Sequence, residues 1–584
     1  MDLKKLYREL IRRNVFRAVL AYLAVAWVLI EAASTILPTF GAPDYLLKGL
    51  IYLLSIGLIF WIGFSWVYDL TPEGIRKTPE AYDLPETRQM NSRRLNAVIA
   101  GSVIVAVLVL LAGSFWAGSK WSPNKDLSGT SEFRIAVLPF EDRSDSAEFE
   151  YLSEGLAEDV IGNLFDYSGV SIISSRSAFQ FKDSEKSIQE ISRELNADIV
   201  LLGNYTITNQ KVDVNVEVID TREDEILNYA SIVGDLGHIR NVSSEISTHL
   251  SESLGIGVNE TGRKDNRDIQ PVNPEAFKLY SLGKSAMRDH TGQKLADVTK
   301  YFEAAIELDP DYVDPYIGMA EAYLFDVNRG YLSPTEGAAK AKKYALKAEK
   351  LNPGNGEVSG LLGSIHFCNY DFTRAVPYFE NSLEKSPNFT LAYQWYSFIL
   401  YFMGDFEKAE ELQRKAAILD PLDAFNDIYL ALNYIFQGDL AQAEEIINAK
   451  LALSPNHSEM IWLNTVLLVE KGMYEEAFET ILKREQFLDT NFVSGYVFAQ
   501  VGQRERAKKV LDNILERAEK QYVPPSQIAI LMCGLGQYDQ ALEQIEEAFL
   551  AHDLWISWVH FTSMADPIKD DPRYVSLIDS LVKG

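Results

Sequence analysis

Three kinds of hydrophobic pattern follow one another along the chain. In the first part the apolar residues come in unbroken runs, at about 15–37, 45–68 and 97–117. Each run is long enough to cross a bilayer and predicts a transmembrane helix. From 133 to 255 the runs are shorter and change period. Residues 134–140 read as a buried strand, 149–165 as an amphipathic helix and 170–173 as a short strand. A second helix is predicted at 187–195, where Ser187 and Glu190 have the spacing of a capping box. A strand follows at 197–205. Val212, Val214, Val216 and Val218 then alternate with polar partners, the mark of a half-buried strand, with 226–232 as its neighbour. Alternation of this kind predicts a small α/β domain. Linkers are expected at 119–132 and 256–272.

Beyond 273 the pattern repeats. Pro353, Pro387, Pro421 and Pro455 stand 34 residues apart. An alanine lies twelve residues before each, at Ala341, Ala375, Ala409 and Ala443, and the series continues at Ala477, Ala507 and Ala541. Gly404, Gly438, Gly472, Gly502 and Gly536 each fall five residues before an alanine. Two antiparallel helices per unit explain all three series. Glycine makes the tight turn, alanine lets the helices approach, and proline stops the second helix. This stretch resembles the tetratricopeptide (TPR) family. The resemblance implies a superhelical solenoid of about eight repeats over 273–555, with 556–584 as a C-terminal capping segment. The longer spacing from Pro310 to Pro353 predicts an inserted loop near 327–336, on a binding face.

Charge orients the apolar part. The stub before the first run and the loop 69–96 are basic, so the positive-inside rule places both in the cytoplasm. Everything beyond residue 118 then lies outside it, and the chain reads as a multi-pass inner-membrane protein with periplasmic C-terminal domains. Glu31 is the one acid well within a run. Pairing with Lys48 is the favoured reading, and a proton or ion path is the other.

The strings IAVLPFEDRSDSAEFEYLSEGLAEDVIGNLF, ISSRSAF and ELNADIVLLGNY resemble the N-terminal domain of TolB and its FlgO-like relatives. The N-terminal runs are similar to the membrane anchor of bacterial TolB-like/TPR proteins. The fold class expected is therefore multi-domain: a three-helix membrane anchor over 1–118, a TolB-N-like α/β domain over 133–255 and an all-α solenoid.

With 55 Lys and Arg against 83 Asp and Glu, the net charge is −28. An acidic chain makes a poor general binder of nucleic acid. Cys368 and Cys533 read as small core residues rather than a disulfide or metal pair. No catalytic or metal constellation is evident, so neither enzymatic activity nor a cofactor is expected. Gly283-Lys284-Ser285 lacks the earlier glycine of a phosphate-binding loop. Glu154, Glu158 and Asp159 are expected on the solvated face of their helix. In the repeat family the concave face is lined by the first helix of each unit. Here the matching positions include Gln394, Phe398, Tyr401, Phe425, Ile428, Trp462, Phe492 and Tyr496. Each ring could also be packing between neighbouring units. As a set they predict a groove for protein or peptide partners. The function expected is a membrane-anchored interaction scaffold. The alternative is a transmembrane signalling protein that senses an envelope ligand.

Overall fold

A computed structural model of the protein describes residues 133–256, 272–288, 295–483 and 491–583, apart from 146 and 166, with a few positions nearer the N-terminus. It forms two units, 1–129 and 130–584. In the first unit a short antiparallel hairpin joins β1 (Tyr68–Thr71) to β2 (Gly74–Lys77), within the basic loop of the sequence. The expectation of three transmembrane helices is corrected: among the described residues no helix is long and apolar enough to cross a membrane. A span needs about 20 consecutive apolar residues in one helix, and among the described residues no helix meets both conditions. The runs 15–37, 45–68 and 97–117 lie almost wholly outside the described residues, as do Glu31, Lys48 and the linker 119–132. The multi-pass inner-membrane placement is corrected on the same finding.

The second unit begins with a six-stranded sheet. Its strands are β3 (Phe133–Val137), β4 (Glu141–Asp142), β5 (Val170–Ile172), β6 (Ile199–Thr208), β7 (Lys211–Asp220) and β8 (Glu225–Asp235). The order is β5-β3-β6-β7-β8, with β4 beside β6. β3 runs parallel to both neighbours, and β6, β7 and β8 are antiparallel. In β7 the four valines are buried and their neighbours half-buried or exposed, as their alternation requires. Helices α1 (Tyr151–Leu164), α2 (Ser175–Ala178), α3 (Ile188–Leu195) and α4 (Ile239–Leu254) complete the domain. The capping box at the start of α3 is formed in both directions, between Ser187 and Glu190.

Eight helical hairpins follow among the described residues: α5 and α6 (Pro274–Arg288, Leu295–Leu308), α7 and α8 (Asp314–Asn328, Pro334–Leu351), α9 and α10 (Gly356–Cys368, Phe372–Lys385), and α11 and α12 (Thr390–Met403, Phe406–Leu419). Then come α13 and α14 (Ala424–Gln437, Leu440–Leu453), α15 and α16 (Ser458–Glu470, Tyr474–Leu482), α17 and α18 (Phe492–Gln500, Arg504–Ala518), and α19 and α20 (Pro525–Gly534, Tyr538–Leu550). The sequence periodicities map directly onto this TPR-like array. The five phased glycines all have φ between 71° and 79°, closing the turn between paired helices. The seven phased alanines are all fully buried. Pro353, Pro387, Pro421 and Pro455 each stand two residues beyond a helix end. Cys368 and Cys533 are free and buried. The extra residues after Pro310 only partly form a loop, because helix α8 takes up several of them and runs to 18 residues. Three short helices close the chain: α21 (Ile556–Phe561), α22 (Asp566–Lys569) and α23 (Pro572–Lys583).

The α/β core continues without a break into the first two hairpins, through Phe277, Phe302 and Met319. Gly155 makes this possible. A Cβ at that position would run into Ser281 and Phe277, so only glycine lets α1 lie this close to α5.

Candidate functional site

The predicted groove residues lie on α11, α13, α15 and α17, the first helices of hairpins four to seven. The structure separates them by depth. Tyr401 is 1 % exposed, and its hydroxyl donates to the Tyr429 carbonyl at 3.3 Å. Burial pushes its pKa well up. Ile428, Phe492 and Tyr496 are also buried. Gln394 is buried and donates through Nε2 to Asn426 Oδ1 at 2.8 Å. Phe398, Phe425 and Trp462 remain half-buried. Phe398 meets Tyr429 edge-on at 4.9 Å between centroids, and Trp462 Nε1 donates to Asn491 Oδ1 at 3.3 Å.

Two segments of the same chain pack against these residues. The first is the insertion after α7. The Arg329 guanidinium lies 3.7 Å from the Phe425 centroid and 4.8 Å from that of Phe325. Asn328 Oδ1 accepts a hydrogen bond from the Tyr429 hydroxyl at 3.0 Å. The second is the turn into α21. Trp558 lies 5.2 Å from Trp462, 6.4 Å from Phe492 and 5.8 Å from Phe436. Trp555 lies 6.1 Å from Phe492, and Phe561 lies 5.3 Å from Phe436. The Ser563 N–H donates to the Glu470 carboxylate at 2.9 Å. Much of the aromatic stripe is thus covered in cis.

The array also closes on itself. The Tyr370 hydroxyl donates to the Asp553 carbonyl at 2.7 Å, and its ring lies 4.8 Å from His552. Tyr370 and His552 both have left-handed backbones, with φ of 56° and 54°. Such a conformation costs a non-glycine residue about 1–2 kcal/mol. Tyr370 stands five residues before Ala375, where other units have glycine. Its ring contacts offset that cost. Asp553 is fully buried and accepts from the N–H groups of Ser526 (2.9 Å) and Trp555 (3.0 Å). Burial raises its pKa to about 6, against those hydrogen bonds.

A second polar region joins the α/β domain to the array. Asn388 Oδ1 accepts from the Ile172 N–H at 2.9 Å, and Asn388 Nδ2 donates to the Tyr167 carbonyl at 3.0 Å. The Ser174 N–H donates to the Leu419 carbonyl at 2.7 Å, and the Ser177 hydroxyl bonds Asp420. Burial raises the Asp420 pKa to about 6, with Asp423 adding to it and Arg176 opposing. Elsewhere on α1 and α4, Lys284 lies 3.3 Å from Glu158 and 3.1 Å from Glu321, Arg288 pairs with Glu154 and Glu158, and Arg240 lies 3.5 Å from Asp159. This corrects the expectation of a solvated acidic face on α1. Burial opposes ionisation of Glu158, but Lys284 and Arg288 outweigh it and hold the carboxyl below the usual range. The sequence reading missed Trp558, Arg329, Asn388 and this ionic cluster. Only the departure of Tyr370 from the glycine phase was visible as a signal.

Known proteins are similar to parts of this chain. A family model described as "HilA/YgeH-like transcriptional regulator, second domain" matches residues 131–249, the α/β domain. The transcriptional regulator HilA of Salmonella typhimurium is 22 % identical over 458 residues, covering 76 % of this chain and 78 % of HilA. Among solved structures, YrrB, described as a TPR protein with an unusual peptide-binding site, is 19 % identical with a TM-score of 0.23, covering 32 % of this chain and 91 % of YrrB. Human IFIT1 bound to PPP-AAAA is 14 % identical with a TM-score of 0.37, covering 59 % of this chain and 78 % of IFIT1. The repeat assignment rests on the hairpins themselves.

Proposed function

We propose that this protein is a protein-interaction scaffold with no catalytic role. One observation supports the reading above others: eight helical hairpins and an α/β domain are hydrogen-bonded and ion-paired into one body. Repeat arrays of this kind present extended surfaces, and their stability comes from stacking. The buried carboxyls of Asp420 and Asp553 are engaged in holding a domain contact and a turn. In the groove, Phe398, Phe425 and Trp462 stay half-buried beside the cover made by Arg329 and Trp558, and their exposed edges are the surface a peptide partner would use. Tyr401, Ile428, Phe492 and Tyr496 support it from beneath, and Gln394 anchors its polar end.

Phe425→Ala and Trp462→Ala in the full chain test the groove, read by crosslinking in cells and recovery of the crosslinked partner. Anchor rings of this kind contribute about 2 kcal/mol each, so recovery should fall more than tenfold while the fold is kept. Undiminished recovery with an unchanged melting curve removes the groove from the proposal. Multiple-turnover assays of the purified chain test the absence of catalysis.

A second reading is that the protein belongs to a regulatory system, with the α/β domain and array receiving a signal. The likeness to HilA over 458 residues favours it. The finer TolB-like reading of 133–255 belongs here too, as a domain that binds a ligand. Amide protection in the α/β domain on adding a small ligand, without a protein partner, would favour this second reading over the scaffold.

A further inference from the structure

The two edges of the sheet are treated differently. On one side β5 is only three residues long and covered: Asn388 satisfies the Ile172 N–H and the nearby Tyr167 carbonyl, and the Lys415 ammonium donates to Ser171 Oγ at 2.9 Å. On the other side β8 is eleven residues long and, among the described residues, pairs with β7 alone. Its sequence, EILNYASIVGD, has no lysine, arginine or proline, the residues that usually blunt a free edge. It also exposes large apolar side chains: Ile226 at 62 %, Tyr229 at 57 % and Val233 at 63 %. The backbone direction is fixed by one contact. The Tyr229 N–H donates to the side chain of Asn228 at 2.8 Å and so is turned away from β7. At a period of two, the N–H groups of Ser231 and Val233 face outward as well.

Charge decides what fits this edge. Glu223, Asp224 and Glu225 are consecutive and exposed at its start, and Asp235 is exposed at its end. A second copy paired antiparallel about the middle of the strand would set Glu225 against the partner's acidic end, which is unfavourable. An extended segment with basic residues beside 223–225 meets opposite charge there and apolar neighbours along the rest. We propose that the outer edge of β8 is a docking site for a strand of a partner protein, alternating apolar and polar residues and carrying lysine or arginine at the end beside Glu223–Glu225. The surface belongs to the α/β domain, so this inference goes beyond the groove and stands whether or not the groove binds.

The test uses the full chain and a short synthetic peptide alternating valine and threonine, with a lysine cluster at one end. Twin peptides carry glutamates in place of the lysines, or a central proline. Binding is read by fluorescence anisotropy, and its location by hydrogen exchange. The lysine peptide should bind, should weaken on raising the salt concentration, and should protect the amides of Ser231 and Val233. Val233→Pro removes an outward N–H at a position where an edge strand tolerates proline, and should weaken binding at least tenfold with the melting curve unchanged. Val233→Thr keeps the N–H and should bind as before. If Val233→Pro disturbs the fold, Val233→Lys supplies the same reading through charge. Equal binding of the glutamate peptide, or binding without protection of β8, would overturn the proposal. So would a concentration-dependent dimer of the free chain that Val233→Pro abolishes, since the occupant would then be a second copy.

Discussion

Replacing Trp558 with alanine tests whether the C-terminal segment is part of the array or lies upon it. Trp558 is 6 % exposed and touches the rings of Trp462, Phe492, Phe436 and Trp555 at 5.2 to 6.4 Å between centroids. Truncating a tryptophan in such a place removes its transfer free energy and leaves a cavity between helices from three hairpins. The expected cost is about 3–5 kcal/mol. Collapse of the site would be limited, because the facing rings are carried by three separate helices, α13, α15 and α17. A body of many hairpins need not unfold in one step, so the proper readout is local. Native-state hydrogen exchange of the full chain should show opening of 525–565 made easier by that amount, and opening of 133–256 changed much less. Leu453→Ala, at a side chain 85 % exposed, is the control and should change stability by less than about 0.5 kcal/mol. If Trp558→Ala costs less than about 1 kcal/mol and leaves protection of 525–565 unchanged, the ring cluster does not fill the groove and the reading of a covered stripe is refuted.

Two further outcomes are expected. Asp420 and Asp553 have pKa values raised to about 6 in the folded protein from an ordinary value near 4, chiefly by burial. The folded state then binds more protons than the unfolded state between those values. Stability should therefore rise as pH falls from about 7 to 5, as a higher melting temperature, and Asp420→Asn should flatten that rise. Gly155→Leu should separate α1 from α5, since even a Cβ at that position meets Ser281 and Phe277. We expect a loss of about 3 kcal/mol or more, read as faster exchange at the α/β junction while 390–550 stays protected.

The local elements were legible because local rules produce them. The glycine, alanine and proline series fix turns, close contacts and helix ends within one unit, and the valine alternation of β7 fixes a strand face. Helix α4 carries the same kind of local signal, since Ile239, Val242, Ile246 and Leu250 have helical spacing. What could not be read is long-range. Glu158 and Asp159 look like a solvated face until Lys284, Arg288 and Arg240 are brought to them across the fold. The aromatic positions of α13, α15 and α17 mark a concave side in any repeat array, but nothing local says that Trp558 and Arg329 will reach it.

The contact between Tyr370 and His552 changes what kind of object the array is. An open row of hairpins behaves like a spring, flexing at each joint and able to lose or gain a coil. Here the Tyr370 hydroxyl reaches the carbonyl of Asp553, 183 residues further along. That fastening makes the spring a buckled band. Bending at one joint must be answered at others, so stiffness belongs to the loop and not to any single hairpin. A deleted unit would also leave the two ends out of register, and unit number becomes a fixed dimension of the molecule. Force applied at the α/β domain would be shared around the band before any one hairpin gave way.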